Sequence, residues 1–172
     1  MPMSPTQLAA LMSAFPGQWS SGGLLPDAHH QLRRVLDLWR EAAGEALPDA
    51  RALTPSLLKP VLPDVHIYDV RPEAPRYVVR LVGTRMTGHL GPGITGRPVG
   101  DIAAEGLRLA VTGLLSVVEK TSAPLHLKAP RAVALPNGGH RQLESLWLPC
   151  AANGAVIDRI VAVSLVGEAA NA

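Results

Sequence analysis

Apolar positions along this chain change period twice. Between residues 28 and 43 they recur at helical spacing. Leu32, Val35, Leu36 and Trp39 make one stripe, with Arg33, Arg34, Asp37, Arg40 and Glu41 off it. Asp27 is a suitable N-cap and Gly44 a suitable stop. A shorter helix is predicted over 4–15, where Ser4, Pro5 and Gln7 have capping-box spacing and Leu8, Leu11, Met12 and Phe15 share a stripe. That stripe is either a docking surface or a frayed tail. Residues 16–26 read as a flexible joint, and Thr54-Pro55 opens a brief helical turn that stops at Pro60. The period then becomes two. Strands are predicted over 66–70 and 76–82, the second with Tyr77, Val79 and Leu81 on one face and Arg76 and Arg80 on the other. The five-residue link between them predicts an antiparallel hairpin. Residues 83–102 carry six glycines and two prolines, so only short helical turns fit, such as 84–90.

Helical period returns over 104–120. Leu107, Val111, Leu114, Leu115 and Val118 share a face, and Leu109, Ala110 and Val117 make the rest apolar, so this helix is expected to be well buried. Three strands follow, over 125–129 (reaching toward Val133), 141–148 and 156–166. Asn137-Gly138-Gly139 and Ala152-Asn153-Gly154 supply the turns. This order predicts an α+β fold: a five-stranded antiparallel sheet packed on one face by helices, with an N-terminal helical extension. The expected organisation is an extension over 1–27, a helical cap over 28–60, a core over 61–168 and a tail over 169–172.

Composition narrows the picture. The chain has 172 residues, enough for one domain. Charged residues are only 17%, which argues against a highly charged disordered chain. Aromatics are 3%, too few for a stacking platform on single-stranded nucleic acid. The net charge of +2 comes from scattered basic residues, with Arg33-Arg34 the only adjacent pair, so no phosphate-binding stripe forms and no nucleic-acid partner is expected. No apolar run is long enough to span a membrane and no basic n-region precedes one, so the expectation is a soluble, cytoplasmic protein.

The search for reaction chemistry returns little. His29, His30, His66, His89, His126 and His140 show no metal-ligand spacing, and Cys150 is alone. Neither a nucleophile elbow nor a phosphate loop is present, and Gly91-Pro92-Gly93 lacks an N–H at Pro92. His30-Gln31-Leu32-Arg33 is faintly similar to a histidine-kinase phospho-acceptor box, but Gln31 stands where an acid belongs. Arg85 and Arg97 either grip an anionic ligand or tie down the Gly-rich segment, Arg97 through Asp101 for instance. Glu144 is expected on the solvent face. A pocket enzyme needs a His–acid or paired-acid set, and Asp49, Asp64, Asp101 and Asp158 assemble none.

Several weak motifs fall in a recognisable order. They are Trp39 at a helix end; Pro63 leading to Asp69-Val70; Arg80-Leu81-Val82-Gly83-Thr84; Thr95-Gly96; and Leu146-Trp147-Leu148-Pro149. Over about residues 30–166 the chain resembles a stand-alone PAS-fold domain family common in alphaproteobacteria. It departs at 90–94, which lacks an acidic residue often found before the Thr-Gly turn. The resemblance implies a sensory or regulatory fold with no shared catalytic set, hence no enzyme, and no established cofactor. A flavin-type Cys context is absent around Cys150. Residues 104–120 hold no haem-ligating His, and His89 is the nearest candidate.

The resemblance further implies an apolar ligand pocket between the inner sheet face and the helices. Its expected walls are Tyr77, Val79, Leu81, Arg85, Leu107, Val111, Leu114, Leu127 and Trp147. The stripe Leu32, Val35, Leu36 and Trp39 is the expected interface for a homodimer or a signalling partner such as a kinase. A ligand-free adaptor is the alternative reading, and a small cone-shaped pocket enzyme a further one.

Overall fold

The computed structural model describes residues 3–13, 15–134 and 140–170; the turn expected at Asn137-Gly138-Gly139 lies outside them. The elements are helix α1 (Pro5–Met12), strand β1 (Gln18–Ser21), helix α2 (His30–Ala43), strands β2 (Val65–Val70) and β3 (Tyr77–Val82), helices α3 (Thr84–Leu90) and α4 (Glu105–Thr121), and strands β4 (Leu125–Ala134), β5 (His140–Cys150) and β6 (Arg159–Ala170). Short 3₁₀ helices sit at Ala50–Ala52, Lys59–Asp64 and Val99–Asp101. None of the described helices is long and apolar enough to cross a membrane.

The α+β class and the antiparallel sheet are as expected, but among the described residues the sheet has six strands, in the order β1-β4-β5-β6-β2-β3. The sixth is β1, inside the expected joint. Its register runs from Gln18 opposite Lys128 to Ser21 opposite Leu125. Gln18-Trp19-Ser20-Ser21 has no apolar alternation, so periodicity could not reveal it; the exposed edge of β4 recruits it. Gly17 permits the approach, because a Cβ there would meet the backbone of Lys128 and Ala129.

The sheet is also covered on both faces rather than one. Tyr68, Val79, Leu125, Leu127, Trp147, Ile160 and Ala162 pack with Val111, Leu115 and Val118 of α4. Val65, Leu146, Leu148, Cys150, Val161 and Val163 pack with Leu32, Val35 and Leu36 of α2. Neighbouring positions of one strand alternate between the two clusters, as strand geometry requires. α2 begins two residues after the expected boundary: His29, not Asp27, is the N-cap and accepts from the Gln31 N–H, while Gly44 ends the helix as expected. The α1 capping box forms between Ser4 and Gln7. Met12 is buried, and Leu8 and Phe15 pack on the same cluster as α4, so these three dock on the chain's own core while Leu11 stays 45% exposed.

Two local expectations fail for clear reasons. Leu109 is 63% exposed, because α4 buries one face only and has solvent behind it. β6 starts at Arg159 rather than 156, and Val156 stays exposed in the turn. There Gly154 adopts φ +78° and the Asn153 side chain accepts the N–H groups of Ala155 and Val156.

Candidate functional site

The expected pocket between sheet and α4 is occupied by side chains. Tyr68 on β2 stacks on Trp147 of β5, with ring centroids 5.8 Å apart. His66 meets both rings edge-on, at 5.5 Å from Tyr68 and 5.1 Å from Trp147. Such a cluster of apolar ring area needs its polar tips satisfied. His66 Nδ1 lies 2.7 Å from the Tyr68 hydroxyl and Nε2 lies 2.7 Å from Ser164 Oγ. The Trp147 indole N–H donates to Ser145 Oγ, which sits opposite Ser164 in the β5–β6 register. Burial pushes His66 down to about 3 and raises the Tyr68 hydroxyl, so both stay neutral across ordinary pH. A neutral imidazole offers one donor and one acceptor, and hydroxyls can complement either. Ser164 is hydrogen-bonded to a histidine, but both are buried, so no substrate reaches the pair. The cluster is structural.

Of the expected wall residues, Val79, Val111, Leu127 and Trp147 are buried in this core, and Tyr77, Leu107 and Leu114 pack at its margin. The half-buried Tyr77 is fixed to α4: its hydroxyl donates to Glu119 Oε2 at 2.6 Å, and Arg76 binds the same carboxylate. Burial and the Glu119 charge push the Tyr77 phenol up to about 12. Leu81 points outward and is 41% exposed, because a bulge between Ile67 and Tyr68 shifts the β2–β3 register. Arg85 alone of the nine lines the open cavity described next.

That cavity, of about 410 Å³, lies where β5 and β6 run on past the start of β2. The N-cap His29 and Gln31 of α2 line it; α3 contributes Arg85, Met86 and His89; the strands contribute Arg141, Glu144 and Leu165 among others. Asp64, nearly buried at its rim, pairs with Arg85 at 2.8 Å. Arg97 pairs with Asp101 at 3.1 Å. Both arginines therefore tie the segment down, and Arg85 does so while facing the cavity.

Glu144 corrects an expectation. It is buried at 8% exposure rather than solvated. The Glu144 Oε1 atom accepts the His29 backbone N–H at 2.8 Å and lies 2.9 Å from His126 Nε2. His126 Nδ1 accepts the Leu25 N–H at 3.0 Å, so Nε2 carries the proton and donates to Glu144. Burial holds His126 below its ordinary value, against the opposing pull of Glu144, so it is neutral at pH 7. With both ring nitrogens engaged, His126 has none left to act as a base. What this pair does instead is tie residues 25–29, the entry to α2, onto β4 and β5. Lys128 adds to the tie by binding Asp27 at 2.8 Å.

The sequence concealed this pair because a mid-strand acid reads as solvent-facing when one face of a sheet is taken to be open. A signal was present: His126 stands between Leu125 and Leu127, both apolar, as befits a strand covered on both faces.

The expected interface residues Leu32, Val35 and Leu36 are buried in the chain's own second core. Trp39 packs against that core and its indole N–H donates to the Pro149 carbonyl at 2.9 Å. The outward face of α2 is charged, with Arg33, Arg34, Asp37 and Arg40 exposed. Cys150 is fully buried and its thiol is pushed up to about 12 by burial, which removes thiolate chemistry at neutral pH. Among the described residues, no three His, Cys, Asp or Glu side chains converge to hold a metal ion.

No curated protein matches the chain. Among solved structures it is similar to an RNA-binding light-oxygen-voltage receptor, at 13% identity and TM-score 0.43, covering 87% of this chain and 39% of that one. The chain thus spans well under half of that receptor's length. It is also similar to the PAS domain of an HTR-like protein from Haloarcula marismortui, at 18% identity and TM-score 0.32, covering 66% of this chain and 96% of that one. A family model described as PAS domain matches residues 27–163, most of the chain. The order of strands and helices, the antiparallel sheet and this match together place the chain in the PAS domain family.

Proposed function

We propose that this PAS domain is a sensory or regulatory module that takes a small ligand in the cavity at the sheet's end and passes the signal by protein contact. The observation that carries the reading is that His29 and Gln31, at the start of α2, line the same cavity as α3 and the central strands. A ligand there touches the helix whose charged outer face is available to a partner. That partner is a second copy or a signalling protein such as a kinase, met through Arg33, Arg34, Asp37 and Arg40. The site differs from the expected one. Arg85 is retained as a contact, while Val79, Val111, Leu127 and Trp147 support the sheet beneath it.

A ligand-free adaptor is the second reading. It is favoured by the Tyr68–Trp147–His66 cluster, which fills the space between sheet and α4. Native mass spectrometry of the purified chain, with a thermal-shift screen of metabolites, separates the two. Ligand at about 100 times Kd stabilises by about 2.7 kcal/mol, a shift of several degrees. A bare-chain mass and no shift with any metabolite leave only the adaptor.

A further inference from the structure

Among the described residues, one acidic side chain at the cavity has no cationic partner of fixed charge. Glu144 is nearly buried and lines the cavity. Among the described residues no Lys or Arg forms an ion pair with it; its one ionisable partner is His126. Of the cations around it, Arg85 is already committed to Asp64 at 2.8 Å and Lys128 to Asp27 at 2.8 Å, while Arg141 lines the same cavity without an ion pair to Glu144 among the described residues. Among the described residues the donors to Glu144, the His29 N–H and His126 Nε2–H, both fall on Oε1. Oε2 receives no hydrogen bond among the described residues. Glu144 itself lines the cavity, at the junction of α2, α3 and the two long strands. A carboxylate mostly withdrawn from water, with a neutral imidazole as its ionisable partner among the described residues, is well matched by a cation that also donates hydrogen bonds.

We propose that the cavity binds a small ligand carrying an ammonium group, which donates to Glu144 Oε2. The proposal rests on reading this cavity as a ligand site. Leu165, Met86 and Val166 supply apolar wall for a short carbon chain. Arg141 stands at the same cavity, so an amino acid would find a guanidinium for its carboxylate, whereas a diamine would use Glu144 alone. Glu144 also accepts the His29 N–H, so the ammonium binds the same carboxylate that anchors the start of α2. Occupancy is thereby coupled to the segment that carries the partner-facing helix.

The test is a thermal-shift and calorimetric screen of the full chain with two probe sets, the common L-amino acids and the three- to five-carbon diamines. Each probe is paired with its hydroxy counterpart, a hydroxy acid or a diol. The expected result is that an amine binds and its hydroxy counterpart does not. In Glu144→Gln the affinity should fall by about ten- to a hundredfold, the range of a charge-assisted hydrogen bond. Gln keeps the Oε1 acceptor, so the His29 and His126 contacts persist. The hydroxy comparison needs no variant and stands even if Glu144→Gln folds poorly. Binding by amino acids but not diamines assigns Arg141 the carboxylate; binding by diamines assigns Glu144 alone. Equal binding of amine and hydroxy compounds, or full affinity in Glu144→Gln, overturns the ammonium assignment but leaves the ligand reading standing. No binding by either set, while a wider metabolite screen does find a ligand, also overturns it. No binding by any metabolite overturns both.

Discussion

Truncating Leu36 to alanine tests whether α2 is a core element or an interface. Leu36 is 1% exposed and sits in the second core with Val61, Leu146, Leu148 and Val163. Leucine-to-alanine changes at such sites cost about 2–5 kcal/mol, the lost transfer energy plus the cavity left behind. The upper half applies here, because Leu36 packs against the middle of rigid strands that cannot collapse inward. Against a total stability of about 5–15 kcal/mol, that loss is large. For a chain of this length each kcal/mol moves the midpoint by about 2–4 °C, so Leu36→Ala should lower Tm by about 7–20 °C. Circular dichroism melts at low micromolar concentration measure it, with native mass spectrometry of the same samples. Arg34→Ala, on the exposed face, is the control and should change stability by less than about 0.5 kcal/mol. A Leu36→Ala protein with unchanged Tm but a changed oligomeric mass would refute the packing argument and restore the stripe as an interface.

Three further predictions follow from the buried polar groups and the edge strand. His66 has a folded-state value of about 3 and an unfolded value near 6.5, so the unfolded chain binds the proton first. Stability is therefore full above pH 6.5 and falls by about 1.4 kcal/mol per pH unit below it, about 2 kcal/mol by pH 5. His126, also held low, acts in the same direction. Urea titrations at pH 7.5 and 5 should show this drop, and it should shrink markedly in His66→Gln; an identical slope in both proteins would count against the assignment. Gly17→Ala should displace β1, since its Cβ would meet backbone atoms of Lys128 and Ala129, costing about 1–3 kcal/mol. Hydrogen exchange should then accelerate across residues 18–21, and unchanged protection there would disprove the close approach. Tyr77→Phe removes the hydroxyl that donates to Glu119 at 2.6 Å and should cost about 1 kcal/mol. A double-mutant cycle with Glu119→Gln should find that coupling, and additive losses would rule it out.

How much was legible in the sequence differs by element. Helices α1, α2, α3 and α4 and five of the strands could be read from apolar period and from caps such as Ser4 and Gly44. Those signals are local, set by backbone geometry over a few residues. β1 was not legible, since its reason for being extended lies on β4, over a hundred residues away in the chain. The candidate site was mostly illegible. Arg85 was found because a Gly-rich segment lets backbone approach closely and a guanidinium there can grip an anion. Glu144, His126, His29 and Asp64 were not, because each is ordinary in its own local stretch.

By itself, then, the sequence determined the class of fold, the antiparallel hairpin of β2 and β3 and the order of helices and strands that resembles a PAS domain. Only the tertiary structure decided which apolar stripes are core and which cavity is open. Leu32, Val35 and Leu36 look the same on a helical wheel whether they meet a second copy or the chain's own sheet. Tyr68, Trp147 and His66 line a pocket or fill it according to how their rings stack across strands. Helical and strand periods report that a face leaves water, not what it meets. That choice depends on contacts between residues far apart in the chain, whose free energy is set by shape and by pairing of buried polar groups.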